Sequence, residues 1–127
     1  MRILYSISGF EQDAEPQLCL EGTCLEFDTL AHRIEVSIQS NALGEIIKLE
    51  DNDNGVPKLI FIREKGGRKL LEKVDSNKYV ISLDVEVWAK VLDLIHPLTS
   101  QKGYQFIEFN DSKVDLIEDV GLIFRAI

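Results

Sequence analysis

One spacing constrains this chain more than any other: a stretch of its sequence recurs, in pattern, 61 residues further on. Set Leu18–Ile34 (LCLEGTCLEFDTLAHRI) against Tyr79–Ile95 (YVISLDVEVWAKVLDLI). Leu20 meets Ile81, Thr23 meets Asp84, Phe27 meets Trp88, Leu30 meets Val91, Ala31 meets Leu92, and Ile34 meets Ile95. The last four pairs fall at i, i+3, i+4 and i+7, the apolar face of an α-helix. Thr23 and Asp84 stand where a side-chain oxygen can accept a bond from an orphan backbone N–H, so each predicts an N-cap. Thr23 with Glu26 also has the spacing of a capping box. The helices are therefore predicted near Thr23–Ile38 and Asp84–His96.

Strand-like runs flank both helices in the same order. Arg2–Ser8 and Gln17–Gly22 precede the first, and Arg68–Val74 and Lys78–Leu83 precede the second. After each helix a short apolar strand ends in an acidic turn, and a second strand follows. LIFI at Leu59–Ile62 corresponds to LIF at Leu122–Phe124. LIFI does not alternate in polarity, which predicts a central strand covered on both faces. Each unit reads β-β-α-β-β. The expected fold is α+β: two pseudo-equivalent units, about residues 1–64 and 68–127, sharing an antiparallel-rich sheet with two helices packed on it. The expected core includes Phe27, Leu30, Ile34, Trp88, Val91, Leu92 and Ile95.

Turn residues agree with these boundaries. Gly44 follows the first helix, and Pro97 closes the second because the residue before a proline is pushed out of the α region. Pro16 and Pro57 stand at strand starts, where a missing N–H is tolerated. Gly66-Gly67 suits a tight hairpin between the units. No low-complexity linker separates them, so one domain spanning 1–127 is expected.

Charge narrows the function. The chain has 14 Lys and Arg against 22 Asp and Glu, a net charge of −8. That argues against direct binding to a phosphate backbone, which runs on Lys and Arg. The acid is uneven: residues 1–63 hold 5 basic and 11 acidic groups (−6), and residues 64–127 hold 9 and 11 (−2). Five of the basic residues fall between Arg63 and Lys73, where they can protect strand edges from pairing or, alternatively, contact an anion or an acidic partner. No run approaches about 18 consecutive apolar residues, so no membrane span is expected. Two cysteines and a start without a signal-peptide pattern predict a reduced, cytoplasmic chain.

Catalytic and metal chemistry find little purchase. His32 and His96 lie on different helices, and Cys19 and Cys24 do not form a C-x-x-C pair, so no metal or other cofactor is expected. In Glu50–Gly55, placing Gly55 at the sixth position of a calcium loop puts Phe61 at the twelfth, where a bidentate Glu is needed. Cys24 lies in the first helical turn, which favours a thiolate, but the sequence sets no base beside it. A Gly-rich phosphate loop is absent, since Gly66-Gly67 leads into a strand.

The run Lys78–Phe124 (KYVISLDVEVWAKVLDLIHPLTSQKGYQFIEFNDSKVDLIEDVGLIF) resembles small immunity proteins of bacterial polymorphic-toxin and contact-dependent growth inhibition systems. The resemblance extends more faintly to the first unit. It implies a cognate protein toxin as partner and no catalysis. A basic toxin, such as a nuclease, suits the acidic charge. Two acidic clusters are the candidate toxin-binding surfaces: Glu50, Asp51 and Asp53, and Asp111, Asp115, Glu118 and Asp119. The alternative is a small ligand-binding domain or enzyme with a site between the units, for instance a pocket of Trp88, Tyr5 and Tyr104. A homodimer is compatible with either.

Overall fold

A computed structural model describes residues 1–6, 17–51, 58–65, 72–75, 78–107 and 121–127. The expected Gly66-Gly67 hairpin, Pro16 and Pro57 lie outside these residues. The element order is β1 (Arg2–Ser6), β2 (Gln17–Gly22), α1 (Cys24–Gln39), β3 (Gly44–Glu50), β4 (Lys58–Arg63), β5 (Glu72–Asp75), β6 (Lys78–Leu83), α2 (Val85–Ile95), a 3₁₀ turn His96–Thr99, β7 (Gly103–Ile107) and β8 (Gly121–Ala126). The α+β class is observed, with both helices close to their predicted bounds. None of the described helices is long and apolar enough to cross a membrane.

The strands form two mixed sheets rather than the single shared sheet expected. One has the order β1-β2-β8-β7 and the other β3-β4-β6-β5. In each, the central pair is parallel (β2 with β8, β4 with β6) and both outer pairs are antiparallel. Each half of the chain thus gives the strand pair before its helix to one sheet and the pair after it to the other. Exchanging β1–β4 for β5–β8 turns one strand order into the other. Hydrophobic period sets which residues face inward but leaves the partner across the sheet open, which is why the count of sheets was not readable locally.

The registers match as well. Leu18 faces Leu122 and Leu20 faces Phe124 in one sheet; Tyr79 faces Leu59 and Ile81 faces Phe61 in the other. All eight are buried. Beyond the central strands, Ile127 N–H donates to Gly22 O at 2.9 Å, and Glu64 N–H donates to Leu83 O at 3.1 Å. The predicted central strand is central, and its counterpart is too: β4 buries Leu59, Ile60 and Phe61, and β8 buries Leu122, Ile123 and Phe124.

The helices close the core between the sheets. Phe27 and Trp88 are buried at matching positions on α1 and α2. Phe27 meets Phe124 edge-on at 6.1 Å, and Trp88 meets Phe61 at 5.0 Å. Phe61 and Phe124 meet each other at 6.3 Å, so four rings run across the centre of the molecule. Such geometries add to plain area burial. The Trp88 indole N–H donates to Ile62 O at 2.9 Å, which removes the cost of burying it. Leu30, Ile34, Val91 and Ile95 are buried as predicted, and Leu92 is partly buried against them.

Helix ends follow from local chemistry. Thr23 caps α1 with a full capping box, and Asp84 caps α2 by accepting the Val85 N–H at 2.6 Å. At the other end of α1, Asn41 adopts φ 54°, the left-handed conformation that ends many helices. Gly44 follows at φ 112°, which a side chain would strain. Arg63, buried on β4, donates from its guanidinium to Ser37 O in the last turn of α1. A cation there complements the carbonyl end of the helix dipole.

Candidate functional site

The N-terminal turn of α1 and the edge of β3 bound an open cleft of about 390 Å3. Its sequence logic begins at Thr23. The Glu26 N–H donates to Thr23 Oγ1 at 3.2 Å, and the Thr23 N–H donates to Glu26 Oε1 at 3.1 Å. That reciprocal cap fixes the Glu26 carboxylate, whose other oxygen lies 2.6 Å from the Met1 ammonium. The Met1 side chain is itself buried. Gly22 leaves room for it: a Cβ there would sit 2.9 Å from Met1 Cγ.

Leu30, Ile47 and Leu49 give the cleft an apolar floor, and Glu26, Lys48 and Glu50 give it a charged rim. The ammonium bond holds the Glu26 carboxyl below the usual carboxylate range, aided by the Thr23 N–H and hydroxyl and opposed by partial desolvation. Glu50 lies 3.7 Å from both Lys48 and Lys58. The Thr29 hydroxyl donates to Leu25 O at 3.2 Å within its own helix. Each rim carboxylate therefore faces a cation. The arrangement can seat an apolar group against a polar edge; it sets no base beside a nucleophile.

The sequence-predicted acids divide. Glu50 is exposed on the cleft rim. Asp51, its neighbour and an expected member of the same exposed acidic turn, is instead buried, with Oδ2 accepting the Ile3 N–H at 3.2 Å. The physical reason is that β1 is an edge strand, and the Asp51 carboxylate satisfies a backbone donor that has no strand beside it. Asp53, Asp111, Asp115, Glu118 and Asp119 lie outside the described residues. Trp88 and Tyr104, considered for a pocket between the units, are not brought together: Trp88 is 1% exposed and Tyr104 is 59% exposed. The cleft belongs to the first half of the chain, not to the junction of the halves.

Two charged groupings have no local signature in the sequence. Glu21, buried on β2, lies 3.5 Å from Arg2 on β1 and 3.5 Å from Arg125 on β8. Arg63 reaches Ser37 from another element. Both depend on cross-strand or helix–sheet register, and only the Thr23–Glu26 spacing could have pointed to the site.

The cysteines are free. Burial, then the nearby Glu21, pushes the Cys19 thiol up to about 11, against the opposing pull of Arg125. A thiol so protonated is a poor nucleophile. Cys24 is the first residue of α1 and is half-buried. Among the described residues, no group of three or more His, Cys, Asp or Glu side chains is placed to hold a metal ion. Comparison with protein-family models, with curated proteins and with solved structures finds no match to this chain.

Proposed function

We propose that the chain is a non-catalytic immunity protein that binds and neutralises a cognate basic toxin, such as a nuclease, in the cytoplasm. The observation that carries this reading is where the acid is concentrated. Of the net −8, residues 1–63 hold −6. Within that half, Asp28 and Glu35 on α1 and Glu45 and Glu50 on β3 are exposed. The two elements pack against one another. The same helix exposes two large apolar residues, Leu25 and Val36. Apolar contacts inside an acidic surround suit a partner whose cleft is basic.

Carboxylates of this kind steer a basic partner and form charge-assisted bonds to its Arg and Lys. Glu50 can exchange Lys48 and Lys58 for a toxin cation at little cost, because exposed ion pairs are worth only ~0–1 kcal/mol. The sequence clusters Glu50 with Asp53, and Asp111, Asp115, Glu118 and Asp119, remain candidate contacts. Asp51 enters as a structural support.

The test is co-expression with the toxin encoded beside this chain, followed by binding kinetics. Asp28→Lys with Glu35→Lys should slow association by about tenfold or more at low salt and flatten its salt dependence. Neutralising Glu50 and Asp53, or the 111–119 acids, should do the same where they touch the toxin. Failure to protect or bind rejects the reading; binding with unchanged rate and salt dependence rejects the acidic mechanism.

The cleft favours a second reading, a small-ligand site with Leu30, Ile47 and Leu49 as its floor. Chemical shifts of these residues on addition of small apolar anions and amines test it.

A further inference from the structure

Among the described residues the two four-stranded sheets have four edges, and three of them are protected against pairing with another strand. On β1, the Ile3 N–H is taken by Asp51 Oδ2. β3 carries exposed Glu45, Lys48 and Glu50, and its register shifts between Glu45 and Ile47. β5 has the sequence EKVD, with a register shift between Lys73 and Asp75. Charges, bulges and satisfied donors are the usual means of blunting an edge.

β7 has none of these among the described residues. Its sequence is GYQFI, without charge or proline, and it pairs with β8 in unbroken register. Every second residue of an edge strand turns its backbone N–H and C=O away from the sheet, and among the described residues no strand pairs with β7 on its outer side. Its counterpart β3 occupies the matching position in the other sheet and is guarded by three charges. The difference is confined to the edge, since Gly44 faces Arg63 as Gly103 faces Ala126.

The side chains on β7 are also self-complementary. Tyr104 faces Arg125, and Phe106 faces Ile123, on the sheet face opposite Phe124 and the helices. Their rings meet edge-on at 5.5 Å, and Tyr104 is largely exposed. Antiparallel pairing of two β7 strands about Gln105 sets Tyr104 of each copy against Phe106 of the other. That doubles an aromatic cross-strand pair. The described charged groups on this face are Arg2, Glu21 and Arg125, two cations to one anion.

We propose that β7 is a self-association edge, through which two copies of this chain pair antiparallel about Gln105 into one eight-stranded sheet. The two-fold closes the pairing, so the assembly stops at a dimer. A five-residue strand pair buries little area, and the dimer is correspondingly weak and concentration-dependent.

Sedimentation equilibrium of the full chain from about 10 μM to about 1 mM, the range of weak specific association, should show a monomer–dimer equilibrium. Tyr104→Lys, at an exposed position and checked for an unchanged melt, should weaken it by at least about tenfold, because it sets a charge against Phe106 of the second copy. Leu43→Lys, at an exposed apolar residue outside the strand, should leave it unchanged. Amide exchange should slow with rising protein concentration within residues 103–107 and not within 44–50. A monomer throughout, a dimer indifferent to Tyr104→Lys, or protection appearing at β3 would each overturn the proposal.

Discussion

The halves of this molecule are alike in their apolar core and unlike where they carry charge. Phe27 on Phe124 is answered by Trp88 on Phe61, and the Ile127–Gly22 bond by the Glu64–Leu83 bond. At polar and charged positions, exposed or buried, the correspondence ends. Leu25, 75% exposed on α1, stands where α2 has the exposed Glu86. Glu26, ion-paired to the Met1 ammonium, stands where α2 has Val87. Buried Glu21 has two arginines beside it; Ser82, at the matching place on β6, is buried with no hydrogen-bond partner for its hydroxyl among the described residues. Arg63, which closes the end of α1, is matched on β8 by Ala126. Close packing restricts what the core can change. Polar and charged positions are freer, and the first half has used that freedom to gather acid.

The largest effects should come from the paired helix anchors. Phe27→Ala and Trp88→Ala should each destabilise the fold by about 3–5 kcal/mol, through lost transfer energy and the cavity left behind. Trp88→Ala should cost more, since it also leaves Ile62 O without the indole donor. Urea denaturation measures both. Loss of less than about 1 kcal/mol at either site would mean that this helix is not anchored in the shared core.

These anchors were legible in the sequence because helical periodicity is a local property. So were the caps at Thr23 and Asp84, and the central place of LIFI, whose unbroken apolar character leaves no face for water. The partition into two sheets was not legible. Leu20 must find Phe124, and Ile81 must find Phe61, and a period-2 pattern names a face without naming a partner. The candidate site was read only in part. An acid-rich turn after β3 is visible in Glu50 to Asp53, but nothing local separates Glu50, which stays exposed, from Asp51, which folds back onto Ile3. Arg63 reads as edge protection in the sequence; burial on an inner strand makes it a helix cap.

The next effects separate the two caps. Thr23→Ala removes one side of a reciprocal box and should cost about 1 kcal/mol. Asp84→Ala removes a single bond to Val85 and should cost about 0.5–1 kcal/mol. The ordering Thr23 above Asp84, measured in the same denaturation series, would show that the first half relies more on its helix start. The reverse ordering would place the stronger cap on α2.

A smaller effect tests whether the halves communicate through their centre. Phe61 and Phe124 belong to different sheets and meet at 6.3 Å. A double-mutant cycle with Phe61→Leu and Phe124→Leu should give a coupling of about 0.5–1.5 kcal/mol, as for other edge-on aromatic pairs. Additivity within about 0.3 kcal/mol would mean that each ring serves its own helix and that the halves pack independently.

The smallest effect is the pH response of Glu26, and it should appear in one half only. The Met1 ammonium, followed by the Thr23 groups, lowers the Glu26 pKa in the folded chain. A carboxyl whose folded pKa lies below its unfolded value contributes stability that is present above the unfolded value. That contribution is lost as pH falls through the folded value, because the unfolded chain then binds the proton first. Stability should therefore decline on acidification below the ordinary Glu range, and Glu26→Gln should reduce that decline while leaving the neutral-pH melt slightly lower. The carboxylate is partly exposed, so solvent screens the pair and the change is modest. Val87 holds the matching position on α2 and cannot titrate, so amide exchange at low pH should quicken first around Thr23–Phe27 and not around Asp84–Trp88. Equal quickening at both helix starts would assign the acid response to the net charge of the chain rather than to this pair.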